Sequence, residues 1–523
     1  MKESKVVILL TSDIHGSALP INYSDNRIMP YGLVKIASVI GEIRNKSNNT
    51  ILIDNGDLIQ GTPLTYYYCK VDSTGPNPMI RLLNYLSYDA AVVGNHEFNY
   101  GRHILDRAVE ESNFPWLAAN IINSFNGECA FGRPYIIKEF QDGVKIGILG
   151  VTTKYIPNWE DSKHIEGITF EDPVEAADRW VRYLREIEKV DVVVVSYHGG
   201  FERDVDSGRP IGKLTGENQG YELCEKVKGI DVLLTGHQHK VVENKSINGV
   251  LILQPGSHGK YLGAVKLALR FEKRWRVTGR KTEVVAVQEA EEDAPAAAII
   301  KEFEDRVQSW LDKPIGIIKG GLEIKNPLKA RLRDNPFIEF INRVQMKVSG
   351  AEISCTSLFT DEIRGMKEKV TMRDIVSTYI YPNTLRVLRV KGKDIKAALE
   401  RSAGYFERYE GGQVRTKKKE GIGAFQPYNY DMWEGIEYKL DISKAEGFRV
   451  VELKHKGKPI DIEGEYEVVL NNYRAAGGGE YDMFKDKSVI KDIPTDMSEL
   501  IASYVLDTEV IGTEIDNNWE VIY

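Results

Sequence analysis

Only four cysteines occur in 523 residues, and Cys69, Cys129, Cys224 and Cys355 show neither paired nor Cys-x-x-Cys spacing. A disulfide framework is therefore not expected, and reduced thiols in a cytoplasm are. Basic excess is also lacking: 69 Lys and Arg stand against 77 Asp and Glu, a net charge of -8. Binding to a nucleic acid polymer leaves a basic stripe on a protein, so no such partner is expected. Single mononucleotides stay open as small-molecule substrates, because metal ions rather than lysines would take the phosphate charge. No stretch approaches the roughly 20 apolar residues of a membrane span, so no membrane partner is expected. The segment Met1-Lys2-Glu3-Ser4-Lys5 runs straight into an apolar stretch too short for a signal sequence and without a cleavage site. The expectation is a cytoplasmic chain as given, with export after removal of a signal as the alternative. Repeats, heptads and low-complexity tracts are absent as well, and nothing in the sequence speaks to oligomeric state.

What is present begins with ordinary globular composition, 42% apolar and 28% charged. The length exceeds one hydrophobic core, so two domains are expected. The most informative feature is a set of five polar motifs in the first half, each behind an apolar run. Val6 to Leu10 leads to Ser12-Asp13-Ile14-His15-Gly16, and Ile51 to Ile53 leads to Asn55-Gly56-Asp57. Ala90 to Val93 leads to Gly94-Asn95-His96-Glu97, Val192 to Val195 to Ser196-Tyr197-His198-Gly199, and Val232 to Leu234 to Gly236-His237-Gln238-His239. Such β-branched and aliphatic runs suit strands buried on both faces of an α/β sheet. Ligands of such sheets gather beyond the carboxyl ends of the strands. Five loops would thus bring two aspartates, one asparagine and five histidines to one edge.

Imidazole and carboxylate without cysteine favour Mn, Zn, Fe or Co over a thiolate metal or an all-oxygen calcium site. Eight side chains exceed the needs of one ion. Two divalent transition metal ions sharing a bridging carboxylate are expected, the arrangement that clamps both oxygens of an in-line displacement at phosphorus. Asp13 and His15, two apart at a strand end, are expected to project the same way and chelate one ion, and Gly-His-x-His repeats that spacing at His237 and His239. Asp57, after the turn residue Gly56, is the expected bridge. His96 neighbours Asn95 and should point away from the ions. A histidine there can neutralise charge or protonate a leaving oxygen. His258 follows another strand and is expected near the cleft.

The order Asp-x-His, Gly-Asp, Gly-Asn-His-Glu, His, Gly-His-x-His resembles the signature of calcineurin-like metallophosphoesterases. Nearly the whole chain resembles the two-domain 5'-nucleotidase superfamily, most closely the bacterial 2',3'-cyclic-nucleotide 2'-phosphodiesterase/3'-nucleotidases. Asp54-Asn55-Gly56-Asp57, Phe98-Asn99-Tyr100-Gly101, Tyr381-Pro382-Asn383-Thr384 and Asn471-Asn472-Tyr473-Arg474 carry that likeness. The fold it implies is a four-layer α/β/β/α metallophosphoesterase sandwich followed by an α+β 5'-nucleotidase-type domain. The implied ligand sets are Asp13, His15, Asp57 and His239 for one metal, and Asp57, Asn95, His198 and His237 for the other. His96 would lie over the substrate phosphate. The 5'-nucleotidase branch carries an aspartate three residues after this histidine, whereas this chain has Asn99. An amide accepts a hydrogen bond from imidazole but cannot stabilise imidazolium by charge. The resemblance also puts Tyr428, Asn429, Tyr473 and Arg474 in loops that hold the nucleobase between aromatic rings.

The expected activity is hydrolysis of 2',3'-cyclic nucleotides and 3'-nucleotides to nucleoside and phosphate. A 5'-nucleotidase is the alternative, and a silenced nucleotide-binding or adhesion module is the second. The expected domains are 1–288 for the metal-dependent part, 289–314 for a linker and bridging helix, and 315–523 for substrate binding. Helices are expected over Asp172 to Ile187, Ala296 to Leu311, Asn335 to Ser349 and Lys393 to Ser402, with a strand pair around Thr384 to Val390 and a surface loop over Glu407 to Gly423.

Overall fold

The computed structural model describes residues 2–211, 214–381, 383–417, 425–493 and 495–523. Pro382 and the 418–423 part of the expected surface loop lie outside the described residues. The chain divides into two units, Met1–Val307 and Gln308–Tyr523, with the division inside the helix Ala294–Leu311.

In the first unit the apolar runs form strands as expected. One six-stranded sheet holds β1 (Glu3–Thr11), β2 (Thr50–Asp54), β3 (Ala90–Val92) and β4 (Trp116–Leu117) in parallel. A short ribbon joins β5 (Ile121–Asn123) to β8 (Ile168–Phe170). The second sheet has β6 (Tyr135–Glu139), β7 (Lys145–Thr152), β9 (Val192–His198), β10 (Val232–Thr235), β11 (Val241–Ile247) and β12 (Val250–Pro255), in the order β11-β12-β10-β9-β7-β6. The long hairpin of β13 (Tyr261–Phe271) and β14 (Trp275–Ala286) completes the first sheet, giving β14-β13-β1-β2-β3-β4.

The two-residue period of a strand explains how the sheets stack. Val6, Ile8 and Leu10 of β1 share one core with Val192 and Val194 of β9 and Val232 and Leu234 of β10. The alternate residues Val193, Val195 and Tyr197 pack instead against Val174, Ala177, Val181 and Leu184 of the helix Pro173–Glu186. Every one of these side chains is buried, each valine, leucine and isoleucine adding about 1.5–3 kcal/mol of hydrophobic stabilisation. That helix starts where Asp172 accepts hydrogen bonds from the Val174 and Glu175 amides and Pro173 fills the first turn. The parallel strands β1, β2, β3, β9 and β10 all open their carboxyl ends into the motif loops.

The second unit contains a mixed five-stranded sheet in the order Asp431–Glu434, Ile353–Ser357, Glu465–Asn471, Leu385–Lys391, Ser488–Ile493. Only Ile353–Ser357 and Glu465–Asn471 pair in parallel. The strand pair expected around Thr384 is a single strand, Leu385–Lys391, whose partners come from 465–471 and 488–493. Sequence periodicity shows a strand but not its distant partners. The helix Pro336–Ser349 is capped by Asn335 and stopped by Gly350 at φ 82°, the left-handed turn glycine adopts freely. The fold is the two-part α/β architecture expected. Among the described residues no helix is long and apolar enough to cross a membrane.

Candidate metal centre

The five motif loops meet. Asp13, His15 and His239 bring one ligand atom each to within 4.8 Å of one another, and Asp57, His198 and His237 form a second such group. Asp57 Oδ2 stands between the groups, 3.2 Å from His198 Nε2 and 3.9 Å from His15 Nε2. Asn95 joins the second group, with Oδ1 3.1 Å from His198 Nε2 and 2.9 Å from His237 Nδ1. In the first group His239 Nε2 lies 3.0 Å from His15 Nε2 and 3.6 Å from Asp13 Oδ1.

The backbone that does this is unlike the strand-end geometry expected from sequence. β1 ends at Thr11, and both Asp13 and His15 lie beyond it at φ 54° and 49°. Asp57, His237, His239 and His258 are left-handed too, at φ 57°, 66°, 57° and 58°. Strand alternation is therefore not what aligns Asp13 with His15. Each non-glycine residue in that region costs about 1–2 kcal/mol. Backbone hydrogen bonds hold the loops there: His15 N donates to Asp57 O, Asp13 N to Gly56 O and His258 N to Asp13 O. His96 likewise departs from the expected strand end, because it opens a short 3-10 helix, His96–Phe98. Its ring faces His15 with centroids 5.2 Å apart, and His258 lies 5.4 Å from His15 on another side.

Glu97, which sequence reasoning quoted without a role, is fully buried and clamps two loops. Its carboxylate accepts from the Asp57, Leu58 and Gly94 amides at 2.8, 2.7 and 2.7 Å. Its signal was its place directly after the Asn-His pair. Gly56, at φ 94°, permits that approach: a Cβ there would lie 2.7 Å from Gly94 N and 2.8 Å from His198 Nδ1.

Tautomers show what the second group can hold. His198 Nδ1 donates to the Asn55 carbonyl at 2.6 Å, which leaves a lone pair on Nε2. His237 Nε2 donates to the Glu217 carboxylate at 3.1 Å, which leaves a lone pair on Nδ1. Both lone pairs then converge on Asp57 Oδ2 and Asn95 Oδ1, which are also acceptors. Four acceptors facing one point repel unless a cation lies among them, so the donor set fits a divalent ion of the nitrogen- and oxygen-loving kind. The same field acts on the proton affinity of His198. Burial disfavours charge on His198, but Asp57, with Asp13 and Glu97 behind it, pushes the imidazole up to about 10. A metal ion competes for that place with the proton. In the first group burial, reinforced by His239, lowers His15 to about 3, so it is a neutral donor. His15 Nδ1 is held by Gln60 O at 3.1 Å, which turns the Nε2 lone pair inward.

His96 carries its proton on Nδ1. Asn99 Nδ2 donates to Glu160 Oε2 at 2.8 Å, so the amide must turn Oδ1 toward His96, where Nδ1 lies 2.6 Å away. Glu160 and the half-buried Trp159, which stacks on His237 at 5.5 Å, were not found from sequence. His164 pairs with Glu160 at 2.8 Å.

In the second unit Tyr428 and Tyr473 stand with ring centroids 6.5 Å apart but nearly perpendicular, at 77°. They do not form a parallel slot as they stand. Arg474, expected among the substrate contacts, lies inside the protein as a brace. It is 1% exposed, pairs with Asp431 at 2.7 Å, donates to Tyr428 O and Asn429 Oδ1, and stacks on Tyr481. Its guanidinium and Asn429 Oδ1 are engaged in holding the loop that carries Tyr428.

Comparison with known proteins follows this division. Residues 6–241 match calcineurin-like phosphoesterase, and residues 314–486 match the 5'-nucleotidase C-terminal domain. The 2',3'-cyclic-nucleotide 2'-phosphodiesterase/3'-nucleotidase of Salmonella typhimurium is 30% identical over 98% of this chain and 88% of its own. The trifunctional nucleotide phosphoesterase protein YfkN of Bacillus subtilis is 29% identical over 98% of this chain, which spans only 38% of that protein's length. A structure of a candidate 5'-nucleotidase from Staphylococcus aureus, in complex with alpha-ketoglutarate, superposes with a TM-score of 0.89 at 32% identity, covering 99% of this chain and 100% of that one. The chain thus belongs to the calcineurin-like metallophosphoesterases, in the two-domain form that carries a 5'-nucleotidase C-terminal domain.

Proposed function

We propose that this metallophosphoesterase hydrolyses nucleotide phosphoesters, with 2',3'-cyclic nucleotides and 3'-nucleotides preferred over 5'-monophosphates. Asp13, His15 and His239 would hold one divalent ion, and Asn95, His198 and His237 the other, with Asp57 shared. Bound ions of this kind polarise phosphoryl oxygens and make a water nucleophilic near neutral pH. The remaining work falls to the chain. Glu97 fixes the Asp57 and Gly94 loops, so the carboxylate oxygens are in place before substrate arrives. His96, held through Nδ1, has Nε2 free of that hydrogen bond, and its protonated form can pass a proton to the leaving oxygen.

The observation that carries the substrate preference is the His96–Asn99 pair, joined at 2.6 Å through a neutral amide. A cyclic diester has one negative charge and a strained ring, so its transition state needs less from a charged partner than that of a 5'-monoester. The name of the Salmonella relative agrees with this reading, and that of the Bacillus relative says only that it is a nucleotide phosphoesterase. The 5'-nucleotidase alternative has one point in its favour: the Glu160 carboxylate behind Asn99 supplies charge one residue removed. A steady-state panel of 2',3'-cyclic AMP, 3'-AMP and 5'-AMP with Mn-loaded protein separates them. The cyclic and 3' substrates should give the higher kcat/KM. A tenfold advantage for 5'-AMP, about 1.4 kcal/mol of transition-state preference, would select the 5'-nucleotidase.

A further inference from the structure

We propose that Asp334, Glu339, Glu434 and Asn518 form a separate all-oxygen cation site in the C-terminal unit, one that takes Ca2+. Three carboxylates meet there inside the protein: Glu434 is 2% exposed, Glu339 4% and Asp334 7%. One oxygen from each lies within 4.8 Å of the others. Burying charged carboxylates together is unfavourable unless something compensates them. Each has one oxygen engaged: Asp334 Oδ2 accepts from Asn517 N at 2.9 Å, Glu339 Oε1 pairs with Arg343 at 2.6 Å, and Glu434 Oε2 accepts from Asn518 Nδ2 at 2.7 Å. The second oxygens, Asp334 Oδ1, Glu339 Oε2 and Glu434 Oε1, are buried without a hydrogen-bond partner, and so is Asn518 Oδ1. Three carboxylates with unpartnered oxygens therefore meet in one cluster, and a fourth unpartnered acceptor belongs to the Asn518 amide that donates to Glu434. Burial raises all three carboxyl groups, Glu434 up to about 10, which marks the cost of leaving them uncompensated.

The donor chemistry selects the ion. Hard oxygen ligands without imidazole or thiolate suit Ca2+, whose bonds of about 2.3–2.6 Å allow opposed ligands to stand roughly 5 Å apart. The His-rich centre of the first unit has the opposite preference. The ligands come from three places in the chain. Asp334 and Glu339 flank the start of the helix Pro336–Ser349, Glu434 ends the strand Asp431–Glu434, and Asn518 precedes the strand Trp519–Ile522. A bound ion would tie these segments together and stabilise the unit by mass action.

The test is equilibrium dialysis of the Mn-loaded full chain against radioactive Ca2+, with thermal melting alongside. The expected result is one Ca2+ per chain in the wild type and in Asp57→Asn, and none in the Glu339→Gln/Glu434→Gln double variant. Calcium at a hundredfold excess over Kd should raise the wild-type Tm by roughly 5–10 °C and leave the double variant unmoved. Glu434→Gln alone should weaken calcium at least tenfold and serves if the double variant does not fold. Three outcomes overturn the proposal: no calcium in the wild type, calcium retained in the glutamine variants, or calcium lost only in Asp57→Asn. A calcium-indifferent wild type less stable than the double variant would show that the carboxyl groups are held as acids instead.

Discussion

The two units handle backbone strain differently. Among the described residues, sixteen that are not glycine have positive φ. Ten of these lie away from the centre, all of them exposed, including Lys456, Glu480, Asp486 and Asn517 of the second unit. The other six, Asp13, His15, Asp57, His237, His239 and His258, are the ring of the metal centre. The first unit thus spends stability at its site, on the order of 1–2 kcal/mol for each such residue, and a doubly covered sandwich offsets it. The second unit places Tyr428 and Tyr473 on ordinary backbone, outside that left-handed region. Metal ligands must be held within fractions of an ångström before the reaction, whereas an aromatic stack tolerates sliding and turning.

Breaking the rigid side of this contrast should cost most. Asp57→Asn is expected to lower kcat/KM by about 10³-fold or more, roughly 4 kcal/mol, because it weakens both groups at once. Steady-state kinetics with elemental analysis checks this, and two tightly held ions in the variant would remove Asp57 from its shared position. His96→Ala should reduce kcat by about 10²–10⁴-fold with metal content unchanged. Loss of metal in that variant would make His96 a ligand.

The adaptable side should respond in KM rather than kcat. Tyr428→Ala and Tyr473→Ala are each expected to raise KM for nucleotides by about tenfold, the worth of one stacked base, while a small aryl phosphate is unaffected. Equal effects on both substrates would end the stacking assignment. The smallest effect concerns the layer that supports the strained loops. Asp172 caps the helix Pro173–Glu186, and although burial opposes its charge, Lys154 and Gln219 hold it below the usual carboxylate range. Its contribution is present above the unfolded carboxylate pKa and fades as pH falls through the lower folded value. Asp172→Ala should cost about 1 kcal/mol at pH 7 and little near pH 2, as read from denaturant unfolding at the two pH values.

Much of the site was legible because strands and ligands occur together in sequence. Val6 to Leu10 and Val192 to Val195 are unmistakable buried strands, and their polar successors fall at one sheet edge by topology alone. The left-handed turns at Asp13, His15 and His237 were hidden, since only a few per cent of residues other than glycine adopt that region and aspartate or histidine, though enriched there, does not announce it. Glu97 was hidden for another reason: its partners are backbone amides, which carry no residue identity. The internal position of Arg474 was hidden because a motif position says nothing about burial, and here Asp431 and Tyr481 enclose the guanidinium. Asp334, Glu339, Glu434 and Asn518 meet across nearly two hundred residues, with no local pattern to announce them.

The central claim is that two ions at the strained ring run the chemistry. Chelator-stripped protein, held in calcium and titrated with Mn2+, tests it most directly. Hydrolysis of 2',3'-cyclic AMP should be negligible at the start and reach its plateau only as the second equivalent of Mn2+ binds. Full activity in the stripped protein, or a plateau reached at one equivalent, would contradict the account.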